Sequence, residues 1–289
     1  MEAFLLYLCY NKLNMKTKFL ATTLLFVLTF TTIQAQEKIK GSRNVTVEQT
    51  EIEPFTAMEI GEEFEVVIVK GPTAMIEIEA DDNLHEVIDI DVIGNVLYLQ
   101  TIKEIRRSKR LRVRVTFTDA LNEIRVKEKA EVSGLTDLLF NTVTIKTSGS
   151  SRFYGTIKAE TFTLINNDNA KAELNVTAEN TVFQLNQKSD VEALVNSPEF
   201  KADLLEDAEA KIEGDVKEFT LRADNSTSFT GEKLTSQTCT VIIEGRAKAS
   251  VKADNAINIT AKGRSELTIY DSPDFNIVEF ADQASLFKK

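Results

Sequence analysis

Hydrophobic and polar residues alternate along most of this chain with a period of two. The stretches EFEVVIVK (63–70), AMIEIEA (74–80), VIDIDVI (87–93) and LRVRVTFT (111–118) place an apolar side chain at every second position. That is the strand period, and one apolar face per run means one buried face. Further runs at 44–50, 55–60 and 95–101 behave the same way, with turns at Gly71-Pro72, Asp81-Asp82-Asn83 and Gly94-Asn95. No run between positions 36 and 289 carries the helical period over a normal helix length.

From residue 149 onward a second, longer period is laid over the first. The chain divides into GSSRFYGTIKAETFTLINND (149–168), NAKAELNVTAENTVFQLNQK (169–188), SDVEALVNSPEFKADLLE (189–206), DAEAKIEGDVKEFTLRAD (207–224), NSTSFTGEKLTSQTCTVIIE (225–244), GRAKASVKADNAINITAK (245–262) and GRSELTIYDSPDFNIVEF (263–280). A looser first member spans 127–148. The units are about 18–22 residues long, the lower end of the range in which repeat architectures stack. Each unit holds one run of small apolar residues and one of larger ones, separated by corners such as Asn167-Asp168-Asn169, Asp224-Asn225, Gly245 and Gly263. A strand-only unit of this size cannot close a core by itself and must stack on its neighbours.

The fold class expected is therefore all-β: a right-handed parallel β-solenoid over 127–289, preceded by an irregular all-β head or cap over 37–126. An antiparallel sandwich also alternates but has no reason to keep so regular a period. Stacking predicts an interior ladder of Phe162, Phe183, Phe200 and Phe219, extended by Cys239, Ile257 and Phe275. On that ladder Cys239 is a buried, inert thiol. Gln283 to Phe287 reads as a last partial rung, followed by Lys288 and Lys289, charges that oppose end-to-end growth.

Residues 15–35, MKTKFLATTLLFVLTFTTIQA, have the layout of a secretory signal: Lys16 and Lys18, an apolar run from Phe19 to Ile33, and Ala35 before the cut. The run is shorter than a comfortable membrane span, so export with cleavage is favoured over anchoring, and stable membrane insertion is not expected afterwards. The segment 1–14 fits poorly ahead of such a signal, which makes Met15 the better start. Cys9 lies upstream of the apolar run, between Leu8 and Tyr10, a poor setting for lipidation.

The chain of 289 residues has 34 Lys and Arg against 45 Asp and Glu, one His, two Cys and no Trp. Losing Lys12, Lys16, Lys18 and Glu2 with the leader moves the formal charge from −11 to −13, which disfavours nucleic acid as a partner. One His and one remaining Cys leave no material for a His-based triad, a His/Cys zinc site or a disulfide framework.

The segment from Phe55 to Leu99 carries further detail: Ile60, Phe64-Glu65-Val66-Val67-Ile68, the Lys70-Gly71 turn, Ile76 through Leu84, and Gly94-Asn95-Val96-Leu97-Tyr98-Leu99. It resembles the auto-transporter adhesin head GIN domain, a family of exported Bacteroidetes proteins, and the resemblance covers most of 45–280. It implies an all-β, solenoid-like exported protein and supplies no catalytic residues to carry over. The usual Gly-Ser-Gly-Asp corners of that family are approached here only at Ser148-Gly149-Ser150.

Candidate sites are few. Lys103, Arg106, Arg107, Lys109, Arg110, Arg112 and Arg114 form a basic cluster, read either as a solvated strand face or as an anion or glycan contact through the arginines. His85 after Asp81, Asp82 and Asn83 reads as a turn, with weak calcium binding as the sharper alternative. No metal, cofactor or catalytic residue is expected. The leading reading is an exported, non-enzymatic binding, adhesion or scaffolding protein of the cell envelope, partnered by a surface glycan or envelope protein, with homo-oligomers allowed. The alternatives are a polysaccharide-active lyase or hydrolase and a purely structural assembly part. The enzyme would require outward residues such as Arg152, Lys171, Glu192 and Lys211 to converge on one face.

Overall fold

The structure is a computed structural model that describes residues 37–289; the leader, Met15 and Cys9 lie outside the described residues. Strands account for 68% of it and helix for 2%, arranged as a β-solenoid of about nine turns. Ile39–Lys289 forms one compact unit. Among the described residues no helix is long and apolar enough to cross a membrane. The helical content is one 3₁₀ turn, Asp82–Val87.

The repeating region is built from strands of similar length, Arg152–Asn166, Lys171–Leu185, Asp190–Leu204, Glu209–Ala223, Ser228–Ile243 and Lys248–Ala261, each one coil. Neighbours pair in parallel with Arg152 opposite Lys171, Lys171 opposite Asp190 and Asp190 opposite Glu209, so the register advances by the same step from coil to coil. Later it shifts: Ser228 pairs with Lys248 and Lys248 with Glu266, across irregularities at Lys211/Glu213 and Thr230/Thr235.

One corner of each coil from Ala57–Lys70 to the last turns through a residue with left-handed backbone. Glu62, Glu128, Gly149, Asp168, Gln187, Glu206, Asn225, Gly245, Gly263 and Asp282 all have φ between 57° and 72°. Several of these side chains point along the axis and tie one corner to another. The amide of Gly149 donates to Asp168 Oδ2 at 2.8 Å, that of Asp168 to Gln187 Oε1 at 2.7 Å and that of Glu62 to Glu128 Oε2 at 2.6 Å. Corner carboxylates and amides thereby satisfy turn N–H groups that the parallel ladder leaves over.

Inside, apolar residues from Phe55 to Ile269 form one continuous core. The aromatic ladder is present but its register departs from expectation at one rung. Phe200, Phe219, Cys239, Ile257 and Phe275 do stand opposite one another. Phe162, however, faces Thr181, while Phe183 stands one inward position along, between Leu164 and Ala202. A slip of two positions keeps a side chain on the same face, so alternation alone could not detect it. The rings still touch: centroids are 6.0 Å apart for Phe162 and Phe183, 5.1 Å for Phe183 and Phe200, and 5.1 Å for Phe200 and Phe219. Thr181 fills the vacated rung by donating to Ser197 Oγ at 3.2 Å. Cys239 is buried, and desolvation pushes its thiol up to about 12, as an inert core thiol requires.

Parallel stacking begins earlier in the chain than the repeat does. Ala57–Ile60 and Glu65–Lys70 pair in parallel with Glu123–Val126 and Glu131–Gly134, far downstream in the chain. On their other side they pair, again in parallel, with Val96–Thr101 and Leu111–Phe117. The chain thus makes a coil, leaves it, lays a second coil outside the first, and returns to build the repeat on the opposite side. Ile88–Ile93 and Met75–Asp81 then cover that outer coil with antiparallel pairing, and Val45–Glu51 extends the cover by pairing antiparallel with Met75–Asp81.

Candidate functional site

The outward rows of the regular coils bring corresponding residues of successive coils into columns, at about 4.8 Å per rung. Tyr154, Glu173, Glu192 and Lys211 form one such column, and Thr156, Asn175, Leu194 and Glu213 stand in the next outward one. Between them lie Gly155, Leu174 and Ala193, and together these residues line an open groove of about 590 Å³. Gly134 and Gly155 at its upper end carry no side chain to fill it.

The groove is mixed in character. Glu173, Glu192 and Glu213 outnumber Lys211, whose Nζ lies 3.3 Å from Glu192 Oε2. Lys233 reaches Glu213 at 3.0 Å. Burial, reinforced by the Glu131 and Glu173 carboxylates, raises the Tyr154 phenol above its ordinary range, so it remains a hydroxyl that can donate and accept. Leu194 leaves an exposed apolar edge beside Asn175. Such a surface can offer hydrogen bonds to a polyhydroxylated chain and an apolar contact to its ring faces.

Of the four outward residues named from the sequence, Glu192 and Lys211 line this groove. Arg152 and Lys171 stand in a different column, where Lys171 pairs with Asp190 at 2.9 Å and Arg152 with Glu131 at 3.8 Å. Tyr154, Glu173, Asn175, Leu194 and Glu213 escaped the sequence reading, although the repeat, written out as columns, would have aligned them.

The arginines are dispersed among carboxylates. Arg106 pairs with Glu104 at 3.1 Å, Arg110 with Glu79 at 3.5 Å and Arg114 with Glu77 at 3.2 Å. Arg112 stands in register between Glu65 and Glu79, and the backbone carbonyl of Arg107 accepts from the Gly41 amide at 2.7 Å. The cluster is therefore a sheet of alternating sign, in which each arginine of Leu111–Phe117 has acidic neighbours on the flanking strands.

The Asp81-Asp82-Asn83 group is spent on the protein itself. Asp81 is fully buried; burial pushes its carboxyl up, but amide hydrogen bonds from Lys109, Arg43 and Arg110 outweigh this and hold it below the usual range. Asp82 accepts from Ser42 Oγ and from Asn44 Nδ2, and Asn83 donates to the Lys40 carbonyl. His85 lies buried with Nε2 3.0 Å from Thr46 Oγ1 and Nδ1 3.6 Å from Glu48. These oxygens fasten the segment before Val45 to the cap, and among the described residues no group of three or more His, Cys, Asp or Glu side chains could hold a metal ion.

Comparison with known proteins adds the kinship. The family model described as "Putative auto-transporter adhesin, head GIN domain" matches residues 54–196 and 175–273. A crystal structure of a "putative adhesin" from Parabacteroides distasonis superposes with a TM-score of 0.64 at 14% identity, covering 88% of this chain and 100% of the other. A "putative lipid binding protein" from the same species gives 0.59 at 15% identity, with 87% and 97% covered. A "putative adhesin" from Parabacteroides merdae gives 0.59 at 13% identity, with 88% and 99% covered. At these identities the likeness is one of fold. No curated protein matches the sequence. The two family matches overlap and together take in most of the solenoid, and the chain belongs to the auto-transporter adhesin head GIN domain family.

Proposed function

We propose that this protein is an exported, non-enzymatic binding module of the cell envelope that holds a neutral glycan chain in the groove between Tyr154 and Glu213. The observation that carries the reading is the groove itself: its outward columns run along the solenoid axis and repeat hydrogen-bonding groups at a constant spacing, which suits an extended polymer. Three carboxylates, two of them paired with Lys211 and Lys233, leave the groove no excess positive charge with which to hold an acidic polysaccharide. The adhesin names of the family and of two structural neighbours agree with a binding role.

One feature supports binding over catalysis. A glycoside-cleaving site needs one carboxyl raised into a general acid. In the groove two of the three carboxylates are instead tied to lysines of the next coil, Glu192 to Lys211 at 3.3 Å and Glu213 to Lys233 at 3.0 Å. Export is supported by the leader at 15–35 and by the family.

The test is a glycan array and envelope-fraction pull-down with the protein produced from its full chain, compared with Tyr154→Ala and Glu173→Ala. Retention of neutral glycans, weakened at least about tenfold in both variants at unchanged thermal stability, is expected. Binding that survives both variants, or no retention across the panel, removes the groove from the reading.

A further inference from the structure

The two ends of the solenoid are finished differently. At the beginning of the stack the antiparallel strands Ile88–Ile93, Met75–Asp81 and Val45–Glu51 cover the outermost coil. At the other end nothing corresponding is present among the described residues. Asp274–Phe280 pairs on one side with Lys248–Ala261, and Ser285–Lys288 pairs on one side with Glu266–Tyr270. The edge so formed is apolar: Phe275 is 43% exposed, Ile277 53%, Val278 66%, Phe280 44% and Phe287 52%. Phe275 and Ile277 stand in columns whose preceding members, Ile257 and Ile259, are wholly buried. They are core residues that lack the next rung.

We infer that this end docks a second copy of the same chain, end to end and head to head, in a closed two-fold dimer. Charge and pitch both select that occupant. The strand Asp274–Phe280 carries Asp274 and also Glu279, which already pairs with Lys262 at 2.9 Å, and no base, whereas the strand Ser285–Lys288 and the residue after it carry Lys288 and Lys289 and no acid. A two-fold axis through the corner at 281–284 exchanges the two edges, so that each copy's acidic strand pairs antiparallel with the other's basic one. Val278 then falls near Phe287 of the second copy. Lys289 falls beside Asn276, within a side chain's reach of Asp274.

The pitch makes the same choice. A coil climbs about 4.8 Å per turn, so the last strand on one face stands about half a rung above the last strand on the other. Pairing each edge with its own copy would close one side and leave the other short by a full rung. Exchanging the edges gives both sides the same separation. An isologous contact of this kind is self-complementary and closes, whereas a head-to-tail contact would have to pass the antiparallel cap and would grow into a fibre. In this dimer the lysines that oppose open-ended growth also specify the partner edge.

The experiment is light scattering and sedimentation velocity on the purified full chain and three variants. Wild type should be a dimer. Val278→Lys should weaken it by about 30-fold or more, with circular dichroism unchanged because Val278 already faces solvent. Asp274→Lys and the pair Lys288→Glu with Lys289→Glu should each weaken self-association, and mixing those two proteins should restore a heterodimer. A monomeric wild type, open-ended polymers, a dimer indifferent to Val278→Lys, or a mixture that fails to restore association would each overturn the inference. Circular dichroism on each variant keeps the test decisive, because only a mixture of two folded proteins that fails to associate counts against the inference.

Discussion

The coil at 57–70 and the coils of 142–270 obey the same geometry with different chain connections. Both turn through a left-handed corner residue, Glu62 in the first and Gly149 to Gly263 in the second. Both pair in parallel and share one core. The difference is that Arg152 meets Lys171, in the coil that follows directly, whereas Glu65 meets Glu131, on the far side of the insertion. A solenoid rung needs an inward face, a corner and a neighbour, and it is indifferent to where in the chain that neighbour lies. The entropy of closing a longer loop rises only logarithmically, so the insertion costs about 2 kcal/mol more than a direct connection. In return it supplies the antiparallel strands that cover one end of the stack.

The sharpest way to break this comparison is to cut into the shared core on each side. Phe200→Ala removes a ring that packs 5.1 Å from both Phe183 and Phe219, and should cost about 3–5 kcal/mol. Ile68→Ala, in the first coil, should cost about 2–5 kcal/mol. If the two regions are one cooperative body, chemical denaturation of either variant shows a single transition moved to lower denaturant. Two separated transitions would divide the stack at the insertion.

Asp81→Asn probes the cap of the outer coil alone. Asp81 receives amides from Arg43, Lys109 and Arg110 at 3.0–3.2 Å, and an amide side chain would turn a donor toward donors. The expected loss is about 2–3 kcal/mol. Hydrogen exchange should locate it in Val45–Glu51 and Leu111–Phe117, with the amides of 152–261 unaffected. Gly214→Ala makes the complementary cut in the regular coils. Gly214 has φ of 122°, and a Cβ there would collide with the Val195 carbonyl oxygen. A loss of about 2 kcal/mol is expected, read as a lowered midpoint with protection lost in Asp190–Leu204 and Glu209–Ala223.

The same contrast explains what the sequence could and could not reveal. Where consecutive coils are consecutive in the chain, the repeat is visible, and with it the corners at Asp168, Asn225, Gly245 and Gly263 and the burial of Cys239. Where a coil is interrupted, as between Lys70 and Glu123, the strands were legible from alternation but their parallel partners were not, because pairing across so long an insertion leaves no local mark. Phe183 was misplaced because a slip of two is silent to a period of two. Corners at Gln187 and Glu206 use residues with no preference for left-handed backbone, so only stacking assigns them. The groove was half legible: Glu192 and Lys211 were named, yet Tyr154 and Asn175 acquire meaning only when adjacent coils are set in register.

The junction between the two regions offers the finest test. Glu123 lies on the strand that returns from the insertion and is held by Arg125 Nε at 2.9 Å and Lys146 Nζ at 2.6 Å. Arg125 also reaches Glu59 at 3.4 Å, and Lys127 reaches Glu59 at 2.6 Å, so one ionic network spans three successive rungs across the gap in sequence. Hydrogen bonding to Arg125, with Lys146 adding to it, overcomes partial burial and brings the Glu123 carboxyl from 4.5 down to about 2. Because the folded value is the lower one, this contribution is fully present above the unfolded value near 4.5 and fades as pH falls toward 2. Solvent reaches the network, so it should be worth about 1 kcal/mol rather than the full shift. Wild type should exceed Glu123→Gln by that margin at neutral pH, and the gap should close between pH 4.5 and 2. A gap that stays constant through that window would mean the network does not bind the interrupted coil to the regular stack through charge, leaving apolar packing of Ile124 and Val126 to do so alone.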